Sequence, residues 1–270
     1  MTIAKPYIEP KDLSNIPREN LPTMYDLPSE DPQEPGLPDQ FHSLQPRLLD
    51  DTFCPPNYPS DRIYKASDHN LYYDLTHPLW HKRPDWFAVM GVSQFYEGKD
   101  LRLSYVMWQE QVSPVVIVEL LSPGTEKEDL GQTERGTDRP PTKWDVYERI
   151  LKVPYYIVFD RYTDELRAFH LRNGQYQPVD LEPDRRIWMP EVGLGLGLWQ
   201  GSYLGLERLW LRWYGPQGQW VSTESEQERH RAEQERYRAE QAEQRATEQQ
   251  QRADRLAEQL KAMGINPDEL

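Results

Sequence analysis

The chain has a single cysteine, Cys54, in 270 residues. With no second thiol there is no internal disulfide, and a reducing interior is the natural setting. Cys54 stands between Phe53 and two prolines and reads as a loop thiol without a chemical role. Positive charge is also scarce, with 31 Lys and Arg against 45 Asp and Glu and a net charge of −14. That balance favours solubility and excludes broad, non-specific attraction to nucleic acid over the whole surface, though not a local basic groove. No apolar stretch approaches the ~20 residues of a membrane span. Nothing near Met1 has the charged-then-apolar pattern of a signal peptide. A soluble cytoplasmic protein, with no membrane partner, is the expectation.

What is there falls into regions. Residues 1–40, with "LPSEDPQEPGLPDQ", are rich in proline and acid, have little to bury, and read as an extended arm. Residues 41–215 read as one domain. Its first part, to about residue 80, suggests a short helix or turn and then one strand. "DWFAVMGV" and "SPVVIVELLS" read as strands, whereas "LRLSYVMW" is a strand or an approach to one. "TKWDVYERILKV" has helical spacing that sets Trp144, Tyr147, Ile150 and Leu151 on one face. Thr142 is its N-cap, answered by Asp145. "PYYIVFD", "ELRAFHL" and "QYQPVDL" follow as strands, with "RNG" as a hairpin turn. "EVGLGLGLWQG" lacks the Lys-Ser/Thr of a phosphate loop and is expected to be a glycine-alternating strand or bend. Strands, a helix and more strands imply a mixed α/β sheet.

The segment 223–263 is different material. Ala232, Ala239, Ala246, Ala253 and Leu260 recur every seven residues, with Glu235, Ala242, Gln249, Leu256 and Met263 as the companion positions. This is a long helix, either solvated and salt-bridged or a weak coiled coil associating through Leu256, Leu260 and Met263. Gly264 and Pro267, in the terminal stretch 264–270, supply the stop.

The informative anomaly is Glu119, a carboxylate inside the apolar run Val115–Leu121. Burying it unpaired costs several kcal/mol or forces its pKa upward. A cation beside it removes that cost. A hard divalent metal needs further oxygen ligands, and Asp85, opening a strand straight after Pro84, offers one if the two strands are neighbours. Two acids and a metal can polarise a phosphoryl oxygen and acidify a bound water. Lys143, at the start of the core helix, is the candidate cation for charge developing on phosphate. Each residue also has a plainer reading. Asp85 can cap a turn after proline, Glu119 can pair with an arginine such as Arg102, and Lys143 can be solvated.

With these residues in view, the order "RPDWF", "VVIVELLSPGTEKEDL", "KWDVYERILKVPYYIVFD" resembles the Uma2 family, also called DUF820. The likeness covers roughly residues 40–200 and rests on Pro84–Asp85, Glu119, Ser122, Pro123, Thr125, Asp129, Lys143, Tyr147 and Tyr155–Tyr156. The Pro/acidic arm and the Glu/Gln/Arg tail are similar to the longer cyanobacterial members. The resemblance implies a restriction-endonuclease-like fold of the PD-(D/E)XK type: a mixed central β-sheet flanked by helices, here followed by the long C-terminal helix. It also implies an endonuclease dependent on Mg²⁺ (or Mn²⁺) acting on DNA, with Asp85, Glu119 and the Leu120 backbone carbonyl on the metal. In the wider superfamily a lysine stands two residues after the glutamate. Here that residue is Leu121, and the resemblance implies that Lys143 substitutes for it from the helix. The insertion "GQTERGTDRPP" lengthens the loop before Lys143.

Other readings stay open. A nuclease fold that binds or scaffolds without cutting is the rival, and an RNA nuclease a third. Homodimerisation through the domain or the tail is left undecided. Asp129, in a charged loop, is expected to be solvated, and Ser122 and Thr125 to satisfy turn backbone. Tyr147 is expected to pack, and His77 and His81, separated by Pro78, are not expected to hold metal. His42 lies near where superfamily members place a helical acid or its substitute. A basic strip of Lys82, Arg83, Arg102, Lys143 and Lys152 would favour nucleic acid as partner.

Overall fold

The computed structural model describes residues 39–122, 126–132 and 140–263. The arm at 1–40, but for its last two residues, and the terminal 264–270 lie outside them, as do Pro123, Thr125 and most of the loop before Lys143. The chain divides into two units, one to Val221 and one from Ser222.

The first unit runs α1 (Gln40–Thr52), β1 (Ile63–Ala66), β2 (Leu71–Tyr72), β3 (His81–Lys82), β4 (Trp86–Met90), β5 (Phe95–Tyr96), β6 (Asp100–Leu101), β7 (Tyr105–Val106), α2 (Met107–Glu110), β8 (Val116–Leu120), α3 (Glu126–Asp129) and α4 (Lys143–Asp145). A π-helical turn, Val146–Ile150, continues α4. It leads to β9 (Tyr155–Asp160), β10 (Glu165–Arg172), β11 (Gln175–Pro178), β12 (Arg186–Met189), β13 (Leu194–Tyr203) and β14 (Leu206–Tyr214). The central sheet has six strands in the order β1-β4-β8-β9-β10-β11. Within this sheet only β8 and β9 pair in parallel; its other ladders are antiparallel. A parallel step needs a crossover, and α3 and α4 lie in that connection. This is the mixed α/β architecture expected of a restriction-endonuclease-like domain.

Alternation along β8 decides what faces what. Val116, Val118 and Leu120 enter one core with Phe41, Leu48 and Leu49 of α1 and with Ile187, Leu196, Trp210 and Trp213 of the β12-β13-β14 sheet. Ile117 and Leu121 enter the other, with Val146, Tyr147 and Leu151 of the crossover and Leu71 and Tyr105. β8 is apolar on both faces because both are covered. Glu119, in phase with Ile117 and Leu121, falls under the crossover. On the opposite face α1 is capped by Asp39, which accepts the His42 N–H at 3.1 Å. Buried Gln45 ties α1 to β14, its Nε2 donating to the Leu211 carbonyl at 2.9 Å and its Oε1 accepting the Leu211 N–H at 2.8 Å.

Several expectations change in detail. "LRLSYVMW" is divided among β6, β7 and α2, because Arg102 turns inward to pair with Glu110 and lie over the Tyr64 ring. Thr142 does cap α4, accepting the Asp145 N–H at 3.1 Å. The wide π-helical turn then shifts the faces of its own residues, so Val146 is buried and Ile150 is 45% exposed. Asn173 and Gly174, at φ 52° and 78°, form the two-residue turn joining β10 and β11. The glycine-alternating stretch is β13, and Gly195 leaves room for the Tyr214 ring across the ladder.

The second unit is α5 (Glu224–Ala262), 39 residues long. Thr223 and Glu226 exchange side-chain-to-backbone hydrogen bonds in a capping box, at 2.8 and 3.3 Å. Leu256 and Met263 are exposed; the side chain of Leu260 is outside the described set. No described helix is long and apolar enough to cross a membrane.

Candidate active site

Glu119 is fully buried at the C-terminal end of β8. The β4–β8 register, with Trp86 opposite Val118, brings Asp85 across from it. The Asp85 N–H donates to Glu119 Oε2 at 3.3 Å, and Asp85 Oδ2 accepts the Leu120 N–H at 2.6 Å. From the crossover, Lys143 Nζ donates to Glu119 Oε2 at 3.0 Å. The same ammonium pairs with Asp129 Oδ1 at 2.8 Å. Tyr147, one turn beyond Lys143, donates its hydroxyl to Glu119 Oε1 at 2.9 Å. Asp129 is itself 1% exposed, and the Tyr156 hydroxyl anchors its carbonyl at 2.8 Å.

The cluster carries more negative charge than Lys143 offsets. Burial pushes the Glu119 carboxyl well above its usual range; Lys143 pulls it down, while Asp129 and Asp85 push it further up. Burial likewise raises Asp85, against the lowering charges of Lys143 and His42. For Lys143 burial acts to depress the ammonium, but Glu119, Asp129 and Asp85 outweigh it and hold it above the ordinary lysine value. Burial and then Glu119 drive the Tyr147 phenol far upward.

On the α1 side, His42 Nε2 lies 3.0 Å from the Leu120 carbonyl and 3.1 Å from Ser122 Oγ. Its Nδ1 is 2.9 Å from Asp39 Oδ1. The Leu120 peptide therefore joins Asp85, through its N–H, to His42, through its carbonyl.

The model of the Uma2 family, described as "Putative restriction endonuclease", matches residues 10–207. The chain belongs to the Uma2 family. No curated protein matches it significantly. Membership points to a nuclease.

Within this Uma2 domain the sequence candidates Asp85, Glu119 and Lys143 come together. Leu121, at the position of the superfamily lysine, is 6% exposed and packed into the crossover-side core. Lys143 reaches Glu119 from the helix instead. Arg102 does not pair with Glu119; Glu110 holds it. Asp129 is not solvated, because the crossover folds it onto Lys143. Tyr147 packs as expected and also donates to Glu119. His77 stacks on Trp80 and pairs with Asp74. The basic strip is largely neutralised, with Lys82 paired to Glu128, Arg83 to Asp68 and Arg102 to Glu110.

Among the described residues no three His, Cys, Asp or Glu side chains form a metal-holding group. A Mg²⁺-like ion asks for less, since it keeps several waters and takes one or two carboxylates. Asp85, Glu119 and the Leu120 carbonyl are an all-oxygen donor set. Oδ1 of Asp85 makes no hydrogen bond among the described residues, and burial is the main cause that raises both carboxyls, a cost that a cation beside them offsets. The residues fit such an ion.

Proposed function

We propose that this Uma2 protein is a divalent-metal-dependent endonuclease that hydrolyses DNA phosphodiester bonds. The observation that carries the reading is the contact of helix-borne Lys143 with strand-borne Glu119 at 3.0 Å, beside Asp85. Asp85, Glu119 and the Leu120 carbonyl would hold Mg²⁺ or Mn²⁺. When bound there, the ion's chemistry is polarisation of a phosphoryl oxygen and a more acidic water. Lys143 orients the attacking water and offsets charge developing on the phosphate. Glu119 and Asp129 keep its ammonium charged, and Tyr147 fixes the carboxylate it leans on. Cutting both strands of a duplex calls for two sites, and two copies would associate through the nuclease domain or through exposed Leu256 of α5 and Met263 just beyond it.

The test is calorimetric titration of Mg²⁺ and Mn²⁺ into the protein and its Glu119→Ala variant, with supercoiled plasmid and RNA assayed in parallel. Metal binding and plasmid nicking that both vanish in the variant support the reading. Cleavage of RNA alone moves the substrate. One observation favours a non-cutting nuclease fold: Lys143 already bridges Glu119 and Asp129, so the acids have a partner without metal. That second reading predicts neither metal binding nor nicking, and a variant that is only less stable.

A further inference from the structure

Next to the candidate site, two arginines share one aromatic ring. The Arg208 guanidinium lies 4.3 Å and that of Arg161 5.4 Å from the centroid of Phe41, in the first turn of α1. Arg161 is paired with Asp39, the residue that also holds His42. Arg208 has no carboxylate within ion-pair distance among the described residues. Of its five N–H donors, one goes to the Leu209 carbonyl at 3.2 Å and one to the Arg161 carbonyl at 3.4 Å. Nε of Arg161 is buried without an acceptor. Burial, and then the neighbouring Arg161, hold Arg208 below the ordinary guanidinium value, with Asp164, Asp39 and Tyr162 acting the other way at longer range. Like charges packed together, one of them unpartnered, are short of an anion.

The position says which anion. From Asp85 the chain of contacts runs through the Leu120 peptide to His42, then Asp39, then Arg161 and Arg208. The pair is thus tied by direct contacts to the acids where a phosphodiester would be cut. Guanidiniums match phosphate oxygens through paired N–H donors. Of the basic strip read from the sequence, Lys82, Arg83, Arg102 and Lys143 are held by carboxylates, whereas Arg208, among the described residues, is not.

We propose that Arg208, supported by Arg161 on the Phe41 ring, is a backbone-phosphate subsite that takes a non-scissile phosphate of duplex DNA. The proposal rests on the nuclease reading for its ligand, not for its test. Binding of a labelled DNA duplex is measured by anisotropy in EDTA over a series of salt concentrations. Each phosphate contact adds about 0.9 to the slope of log K against log salt, so Arg208→Gln is expected to lower the slope by about that amount, weakening binding across sequences alike. Arg208→Lys, keeping the charge, restores most of the slope. Thermal melting of both variants checks the fold. An unchanged slope in folded Arg208→Gln overturns the subsite, as does a wild-type protein without salt-dependent DNA binding. A change seen with duplex RNA and not with DNA overturns DNA as the ligand. If the slope falls while wild type nicks no plasmid, the subsite stands and the nuclease reading fails. If wild type nicks and the slope is unchanged, the subsite alone fails.

Discussion

At Glu119 the cost of a buried carboxylate is met by donors from three directions: the Lys143 ammonium, the Tyr147 hydroxyl and the Asp85 N–H. Removing the ammonium is the severe change, because Glu119 and Asp129 are then left buried without a cation. Lys143→Met is expected to destabilise by about 3–5 kcal/mol, read from urea unfolding. Glu119→Gln in the same chain should recover part of that loss, since the two positions are coupled. Tyr147→Phe deletes one hydrogen bond to a charged group and is expected to cost about 2 kcal/mol by the same measurement. A neutral result would place the charge elsewhere. Glu119 and Asp85 were legible in the sequence because a charge in an apolar run, or one straight after proline at a strand's start, contradicts its surroundings. Asp129 was not, since "EKED" has the look of a solvated loop and its burial comes from a crossover that closes over it. His42 was legible only faintly, for it meets Leu120 across 78 positions, a separation no local pattern records.

Elements whose chemistry is local were read well. β8 and β9 follow from β-branched and aromatic runs between prolines, and the β10–β11 turn from Asn173–Gly174. Residues 95–110 were read less well, because β5, β6 and β7 are two-residue strands set by tertiary contacts of Arg102 and not by alternation. Gly174 of the β10–β11 turn and Gly195 of β13 show how backbone conformation differs from cross-strand packing as a cause. At Gly174 φ is 78° with nothing near a would-be Cβ, so Gly174→Ala carries only the left-handed penalty, about 1 kcal/mol. At Gly195 the backbone is ordinary, but a Cβ would come 2.0 Å from the Tyr214 ring. Gly195→Ala must displace that ring, and overpacking of this kind costs about 1–3 kcal/mol. Urea midpoints should therefore fall further for Gly195→Ala than for Gly174→Ala. The reverse order would mean that the Tyr214 ring moves freely and that the left-handed turn is the costlier constraint.

For the whole molecule, the acid cluster sets how stability depends on pH in metal-free solution. Glu119 and Asp85 hold their protons to higher pH in the folded chain, burial being the main cause in each. Above the ordinary values of 4.5 and 3.8 the folded state thus binds more protons than the unfolded one. Stability falls with rising pH wherever that holds. His42 acts in the same sense: burial lowers it, but the Asp39 hydrogen bond and the Asp85 charge outweigh burial and raise it from 6.5. Its contribution is full below that value and lost as pH rises through the folded one. Asp39 opposes the trend only in acid. Burial raises it, yet its hydrogen bonds with His42 leave it below 3.8, so its stabilisation is lost only as pH falls through that lower value. The protein in EDTA should therefore melt at a higher temperature at pH 5 than at pH 8, by about 1.4 kcal/mol of stability for each unit of upward shift. Glu119→Gln removes the largest of these titrations and should flatten the profile. A melting temperature that rises from pH 5 to pH 8 would mean that Lys143 compensates both carboxylates fully. The excess negative charge on which a divalent ion would draw would then be absent.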